Sequence, residues 1–284
     1  MSNPINPFFS VSPDLTTPQL EQFITTTDYG DMGDRFDDLF GDARKMEGIE
    51  AASFARVLSS SDVHTILDCS CGTGIQALGL AELGFRVFAS DLSERMTHIL
   101  MNKCRNRQIS ILVKVSDFRD LQEWGNDQFD CVLSGGNSLS VLPDYAEMVR
   151  AIRSMANHTR RNGIVLVGGR DYTVPKRREE SVYARGIRLI TDGTGASASP
   201  EWIVDFRLYG RDRVQVMHTF VRPQEDGLAV ERYAMSMMYV TVSDVIAAME
   251  ESGLQEIEAY DATGSKKYVD GEWYIVRGLK ESQN

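Results

Sequence analysis

The stretch ILDCSCGTGIQALGLAELGFRVFASD, from Ile66 to Asp91, constrains the fold more than any other. An apolar run breaks into glycines, an amphipathic segment follows, and a second apolar run ends in an acid. Gly72-Thr73-Gly74-Ile75-Gln76-Ala77 fits G-x-G-x-x-G/A, the turn that brings backbone close to a nucleotide at the start of a helix. The rhythm then continues. His64–Ser70 and Phe85–Asp91 read as strands around a helix over Ile75–Leu83, and Ser93 caps a helix running to about Arg107. Ile111–Asp117, Phe129–Gly135 and Gly163–Gly169 are further strands, with Pro143 in the first turn of a helix reaching His158. Apolar strands alternating with amphipathic helices predict an α/β fold, a doubly wound, Rossmann-like, mostly parallel sheet covered on both faces.

After Tyr172 the pattern changes. WIVDFRLYG, RVQVMHTFVRP and LAVERYAMSMMYV are β-rich runs joined by the short turns GRDR and QEDG, which predicts an antiparallel insertion over about 172–240. A helix over Val242–Glu251, stopped by Gly253, and two strands, Gln255–Asp261 and Glu272–Leu279, complete the sheet. Residues 1–60 carry helical stretches without a strand pattern, so they are expected to form a segment closing over the active site of a domain spanning 61–284. TDGTGASASP (Thr191–Pro200) is expected to be a mobile loop.

Charge narrows the partners. With 41 acidic against 30 basic residues the formal charge is −11, which argues against nucleic acid, whose binding needs basic surfaces. Lys176-Arg177-Arg178 reads as a solvated loop. No apolar run approaches the roughly 20 residues of a membrane helix, and MSNPINPFFSVSPD lacks the layout of a secretory signal, so a cytoplasmic location without membrane contact is expected. The cysteines (69, 71, 104, 131) and histidines (64, 98, 158, 218) form no zinc-ligand spacing, and no metal site is expected.

Three acids stand at successive strand ends. Asp91 is placed to accept from a ribose diol. Asp68, four residues before Gly72, would repel a pyrophosphate but could orient an ammonium group. Asp117-Phe118 could meet an adenine, the acid accepting from its amino group and the ring covering it. Adenine, ribose and an amino-acid tail together point to S-adenosylmethionine. An NAD-dependent oxidoreductase shares the glycine turn, but Asp68 and the missing third glycine count against it.

D-x-x-x-G-x-G, followed by Asp91, Asp117 and FDCVLSGGNSLSVLPD, resembles the class I S-adenosylmethionine-dependent methyltransferases. Within them the chain is similar to the glycine and glycine/sarcosine N-methyltransferases. GNSLSVLPD resembles that group's G-N-S-[FL]-x-x-L-P-D, GRDY its R-N-Y segment, and FDDLFGDAR an N-terminal W-x-x-[LY]-x-G-D-x-R segment. The resemblance implies that Arg44 pairs with the cofactor carboxylate while Tyr29 and Phe36 close over the cofactor. Gly72 and Gly74 would let it approach, with Leu92, Met96 and Ser134 also lining its site. Asn137, Arg170 and Tyr172 would serve the acceptor, Arg170 by a bidentate clamp on a carboxylate. Arg170 also follows an apolar strand at the sheet's active end, an unlikely packing position for a long cation.

Departures matter: Asp171 stands where the group has Asn, Phe36 where it has Trp, and the insertion is the least similar part. The expected acceptor is a small molecule, foremost the amine of an amino-acid-like substrate. A neutral amine needs no strong base, and no His–Asp or Cys–His pair is evident in the sequence. The methionine run MSMMY (Met235–Tyr239) would alternatively wall a bulkier aromatic acceptor, methylated on carbon or nitrogen. A cofactor-binding protein without catalysis, and a homo-oligomer, stay open.

Overall fold

The computed structural model describes residues 29–59, 61–174, 182–190 and 201–281. A seven-stranded sheet, in the order β10-β11-β5-β4-β1-β2-β3, forms its centre. The strands are β1 (Thr65–Asp68), β2 (Arg86–Asp91), β3 (Leu112–Val115), β4 (Phe129–Ser134), β5 (Thr159–Arg170), β10 (Gln255–Asp261) and β11 (Trp273–Leu279). Neighbours from β3 through β5 pair in parallel, and β11 runs antiparallel to both β5 and β10.

Alternation along the strands explains why both faces are covered. Leu67, Val132, Val165 and Val167 point to one face, and Ile66, Cys131, Leu133, Ile164 and Leu166 to the other. The first set packs beneath α4 (Tyr145–His158) and α5 (Val242–Glu251); the second beneath α1 (Ala43–Leu58), α2 (Ile75–Glu82) and α3 (Glu94–Arg107). Helix ends follow their capping residues. Ser93 accepts from the Met96 N–H, Thr241 and Asp244 form a capping box, and Gly253 adopts φ 81° just past α5. Asp144 caps α4, so Pro143 lies just outside that helix rather than in its first turn.

The insertion is a separate antiparallel sheet, β6 (Val182–Ile190), β7 (Glu201–Tyr209), β8 (Arg213–Gln224) and β9 (Gly227–Met238), in sequential order. Its strand β6 has no counterpart in the sequence reading. Residues 175–178, with the basic run, and the loop 191–200 lie outside the described residues. One face of this sheet, with Tyr209, Val214, Val216, Met235 and Met237, clusters with Met32 and Tyr172. A helical turn, Tyr29–Met32, continued by a 3-10 helix, Gly33–Phe40, packs at the same place. No helix among the described residues is long and apolar enough to cross a membrane, and none of their His, Cys, Asp or Glu side chains group to hold a metal.

Candidate active site

The chain runs outward from β1 through β2 to β3, then returns to lay β4 on the other side of β1. This reversal leaves a crevice at the carboxyl ends of β1 and β4, where open α/β sheets bind ligands. Ser70 Oγ and Ser134 Oγ, 2.9 Å apart, mark its floor.

The glycine turn is fastened from below by an acid of the next strand. Asp91 accepts from the Gly72 N–H at 2.8 Å with Oδ2 and from the Ser93 N–H at 2.9 Å with Oδ1. Asp68 is fully buried; Oδ1 accepts from the Ser70 N–H at 3.3 Å, whereas Oδ2 has no hydrogen-bond partner. Burial pushes the Asp68 carboxyl up to about 7, with the Ser70 N–H opposing and the Asp91 charge adding to the rise. A buried carboxylate oxygen without a donor is costly, and a cationic group of a ligand would satisfy it. A Cβ on Gly72 would meet only Phe36, at 3.9 Å, so the turn opens onto space. Gly74 differs from expectation. A Cβ there would lie 2.4 Å from Leu100 Cδ1, so this glycine serves packing under α3.

The N-terminal segment roofs the turn. Phe36 lies edge-on to Tyr29 at 5.9 Å, and Asp37 accepts from Thr73 Oγ at 2.5 Å while pairing with Lys103. Met96 and Ser134 are buried, and Leu92 is 59% exposed beside Asp91. Two expected cofactor residues are placed otherwise. Arg44 is bound to Glu82 at 2.6 Å and Glu47 at 3.2 Å. Glu82 ends α2, about 10 Å along the helix from the glycine turn, so Arg44 stands at the wrong end to hold a cofactor carboxylate. Asp117 is gripped by its neighbour: Arg119 donates to it through Nε, Nη2 and the backbone N–H. Burial alone would raise the Asp117 carboxyl, but the Arg119 bonds hold it below its usual range. An adenine amino group must share it with Arg119. Phe118 is buried in the core cluster that includes Leu121 and Trp124.

Asn137, Arg170 and Tyr172 are brought together. Asn137 takes φ 72°, and its side-chain oxygen accepts from the Arg170 N–H at 3.0 Å and Ser140 Oγ at 2.8 Å. Its Nδ2 donates to the Tyr172 hydroxyl at 3.5 Å and faces Met237 Sδ at 3.6 Å. Arg170 is 6% exposed, stacked over Tyr172 and Trp273 at about 5 Å, and paired with Glu272. The expected clamp is therefore engaged by a carboxylate of the protein, although Arg170 Nε keeps no hydrogen-bond partner. Burial pushes the phenols of Tyr29 and Tyr172 up, opposed in both by Arg170 and Arg207, which ties all four to one environment.

Two features escaped the sequence reading. Arg207, 6% exposed, reaches over the Tyr172 ring at 5.7 Å. A His–Asp pair also exists, with His218 Nδ1 at 2.7 Å from Asp205 Oδ1.

Residues 66–163 match the family model described as a methyltransferase domain. The chain is 30% identical over 142 residues to the glycine/sarcosine N-methyltransferase of Parasynechococcus marenigrum, covering 50% of each protein. It thus spans about half the length of that relative. Among solved structures, an S-adenosylmethionine-dependent methyltransferase from Clostridium acetobutylicum superposes with a TM-score of 0.70 at 16% identity, over 89% of this chain and 99% of that one. The sugar N-methyltransferase KedS8 from Streptoalloteichus sp. gives 0.68 at 20% identity, over 91% and 98%. At such identities these likenesses show the fold. Residues 66–163 thus match a methyltransferase domain, and the chain as a whole has the fold that these S-adenosylmethionine-dependent methyltransferase structures share.

Proposed function

We propose that this protein transfers a methyl group from S-adenosylmethionine to the nitrogen of a small molecule with an apolar body. When bound, that cofactor supplies a methyl group activated by its sulfonium. Asp68 carries the cofactor half of the reading, because its partnerless oxygen suits the ammonium of a methionyl tail. Gly72 gives the cofactor room, Asp91 holds its ribose, and Phe36 with Tyr29 shields it from water. The acceptor half rests on the buried insertion face, where Met235, Met237, Tyr209 and Tyr172 offer pliable and aromatic contact. Nitrogen as the methylated atom agrees with the names of the glycine/sarcosine and sugar enzymes that the chain resembles.

A second reading, an amino acid held by its carboxylate, has the open Nε of Arg170 in its favour. Measuring S-adenosylhomocysteine release with tryptamine, 2-phenylethylamine, glycine and sarcosine tests both. The first reading expects turnover of the aromatic amines, a change of less than threefold for Arg170→Lys, and a KM at least tenfold higher for Met237→Ala. Turnover of glycine, lost in Arg170→Lys because the planar fork is gone, would establish the second. Release with none of these amines would overturn the nitrogen assignment.

Asp68 gives the cofactor reading a pH signature. A carboxyl that ionises near 7 in the empty site must lose its proton to hold an ammonium. Affinity for S-adenosylmethionine should rise about tenfold per pH unit from 5 toward 7 and then level off. Calorimetry in buffers of different ionisation heat should show up to one proton released at pH 5–6. The folded carboxyl is raised above the unfolded one, near 4, so the empty fold's stability falls as pH rises from about 4 through 7. Asp68→Asn should flatten both profiles; a wild-type affinity independent of pH would remove Asp68 from the ammonium.

A further inference from the structure

The buried face of the insertion carries Asp205 and Arg207, with the partly buried His218, among Ile203, Tyr209, Val214, Val216 and Phe220. Side chains alternate along a strand, and Asp205 lies directly across from His218, so their contact fixes both on the face that also bears Arg207. That face packs on Tyr172 and Met32. Arg207 stands two residues, about 6.6 Å, along β7 from Asp205 and reaches the Tyr172 ring, so the pair adjoins the acceptor side of the site.

Burying an acid and an imidazole in apolar surroundings is costly unless they are paired, and the two are in contact here. His218 Nδ1 is held by Asp205, which leaves Nε2 as the ring nitrogen able to accept a proton. Among the described residues, Tyr233 lies directly opposite His218 on β9 and Arg207 shares its face on β7; Glu231 and Arg35 meet beyond Phe220. Asp205 thereby selects the tautomer with a proton on Nδ1 and a lone pair on Nε2, the arrangement of a general base aligned by a carboxylate.

We propose that His218, aligned by Asp205, removes a proton from the acceptor nitrogen, so that the acceptor enters as an ammonium ion and His218 is a catalytic residue. This rests on the reading of nitrogen methylation above. An alkyl amine with a pKa near that of lysine, about 10.4, is neutral in fewer than one molecule in a thousand at pH 7. Nε2 takes one proton from R–NH3+, and the freed lone pair forms the N–CH3 bond. The C–S pair stays with sulfur, leaving S-adenosylhomocysteine and R–NH2CH3+, and His218 returns its proton to solvent. General bases contribute roughly 10²- to 10⁴-fold, the range this deprotonation calls for.

The test uses His218→Gln and Asp205→Asn with tryptamine as acceptor and calorimetry of S-adenosylmethionine binding alongside. Both variants should bind the cofactor within about twofold of wild type. His218→Gln should lose about 100-fold in kcat/KM at pH 7. The loss should shrink to a few-fold toward pH 10, where the amine is itself neutral, and Asp205→Asn should show the same trend in weaker form. A loss of equal size at every pH, or none at all, would overturn the base. Should His218→Gln fail to bind cofactor, the profile of Asp205→Asn decides by the same criterion. Wild type that methylates none of the amines would instead bring down the nitrogen reading, and this proposal with it.

Discussion

Replacing Asp91 with alanine is expected to weaken S-adenosylmethionine binding by roughly 10²- to 10⁴-fold while the protein stays folded. In the proposed function the acid holds a ribose, and in the structure it also secures the glycine turn. Its two oxygens accept from the Gly72 and Ser93 N–H groups, so alanine removes a ligand contact and unpins the glycine turn together. Each charge-assisted hydrogen bond is worth about 1.5–3 kcal/mol, and two such losses give the range stated. Asp91→Asn separates the contributions. It retains one acceptor oxygen and turns an amide donor toward a backbone N–H, so it should fall between wild type and alanine. The Asp68 carboxyl should move down in both variants, since the Asp91 charge helps to raise it. Calorimetry returning wild-type affinity for the alanine variant would take Asp91 out of the site.

The double role of Asp91 illustrates what the sequence made legible. The strand, glycine turn, helix and second strand between Ile66 and Asp91 announce themselves because each element has its own period and its own stop. The insertion was half legible. β7, β8 and β9 alternate regularly, but β6 carries Gly186 at its centre and shifts register between Arg185 and Arg188, which breaks the alternation. Long-range pairing was hardest to foresee. Arg170 looked like a ligand clamp because it follows an apolar strand at the sheet's active end; its partner Glu272 comes from 102 residues away, just before an antiparallel strand. Arg44 is likewise engaged by acids of the protein, Glu47 one helical turn on and Glu82, which only the fold brings to it. The His218–Asp205 pair had a readable signal. The turn at GRDR sets the hairpin register, and counting back from it places the two residues opposite each other.

Gly74→Val should lower stability by about 3–5 kcal/mol, whereas Gly72→Ala should cost only about 1–2 kcal/mol of stability and weaken cofactor binding instead. The two glycines look equivalent in the motif, and the structure separates them. Gly74 holds φ 99°, where a β-branched residue is strained by about 1–3 kcal/mol. Its Cβ would lie 2.4 Å from Leu100 Cδ1 and 3.2 Å from Leu78 Cδ1, and overpacking of this kind costs typically 1–3 kcal/mol more. At roughly 2–4 °C per kcal/mol, the melting temperature should fall by about 6–20 °C. Gly72 holds φ 51°, which a single alanine tolerates for roughly 1–2 kcal/mol, and its Cβ would meet nothing nearer than Phe36 at 3.9 Å. That added methyl occupies the space between the turn and the aromatic roof, where the cofactor would have to lie. Thermal melts with and without S-adenosylmethionine read both effects, because a ligand bound only by the folded state raises the midpoint. Gly72→Ala should melt a few degrees below wild type when empty and gain little from cofactor. Gly74→Val should melt early and still gain from it at temperatures where it is folded. A reversed pattern would mean that Gly74 faces the ligand after all and that Leu100 yields to the larger side chain.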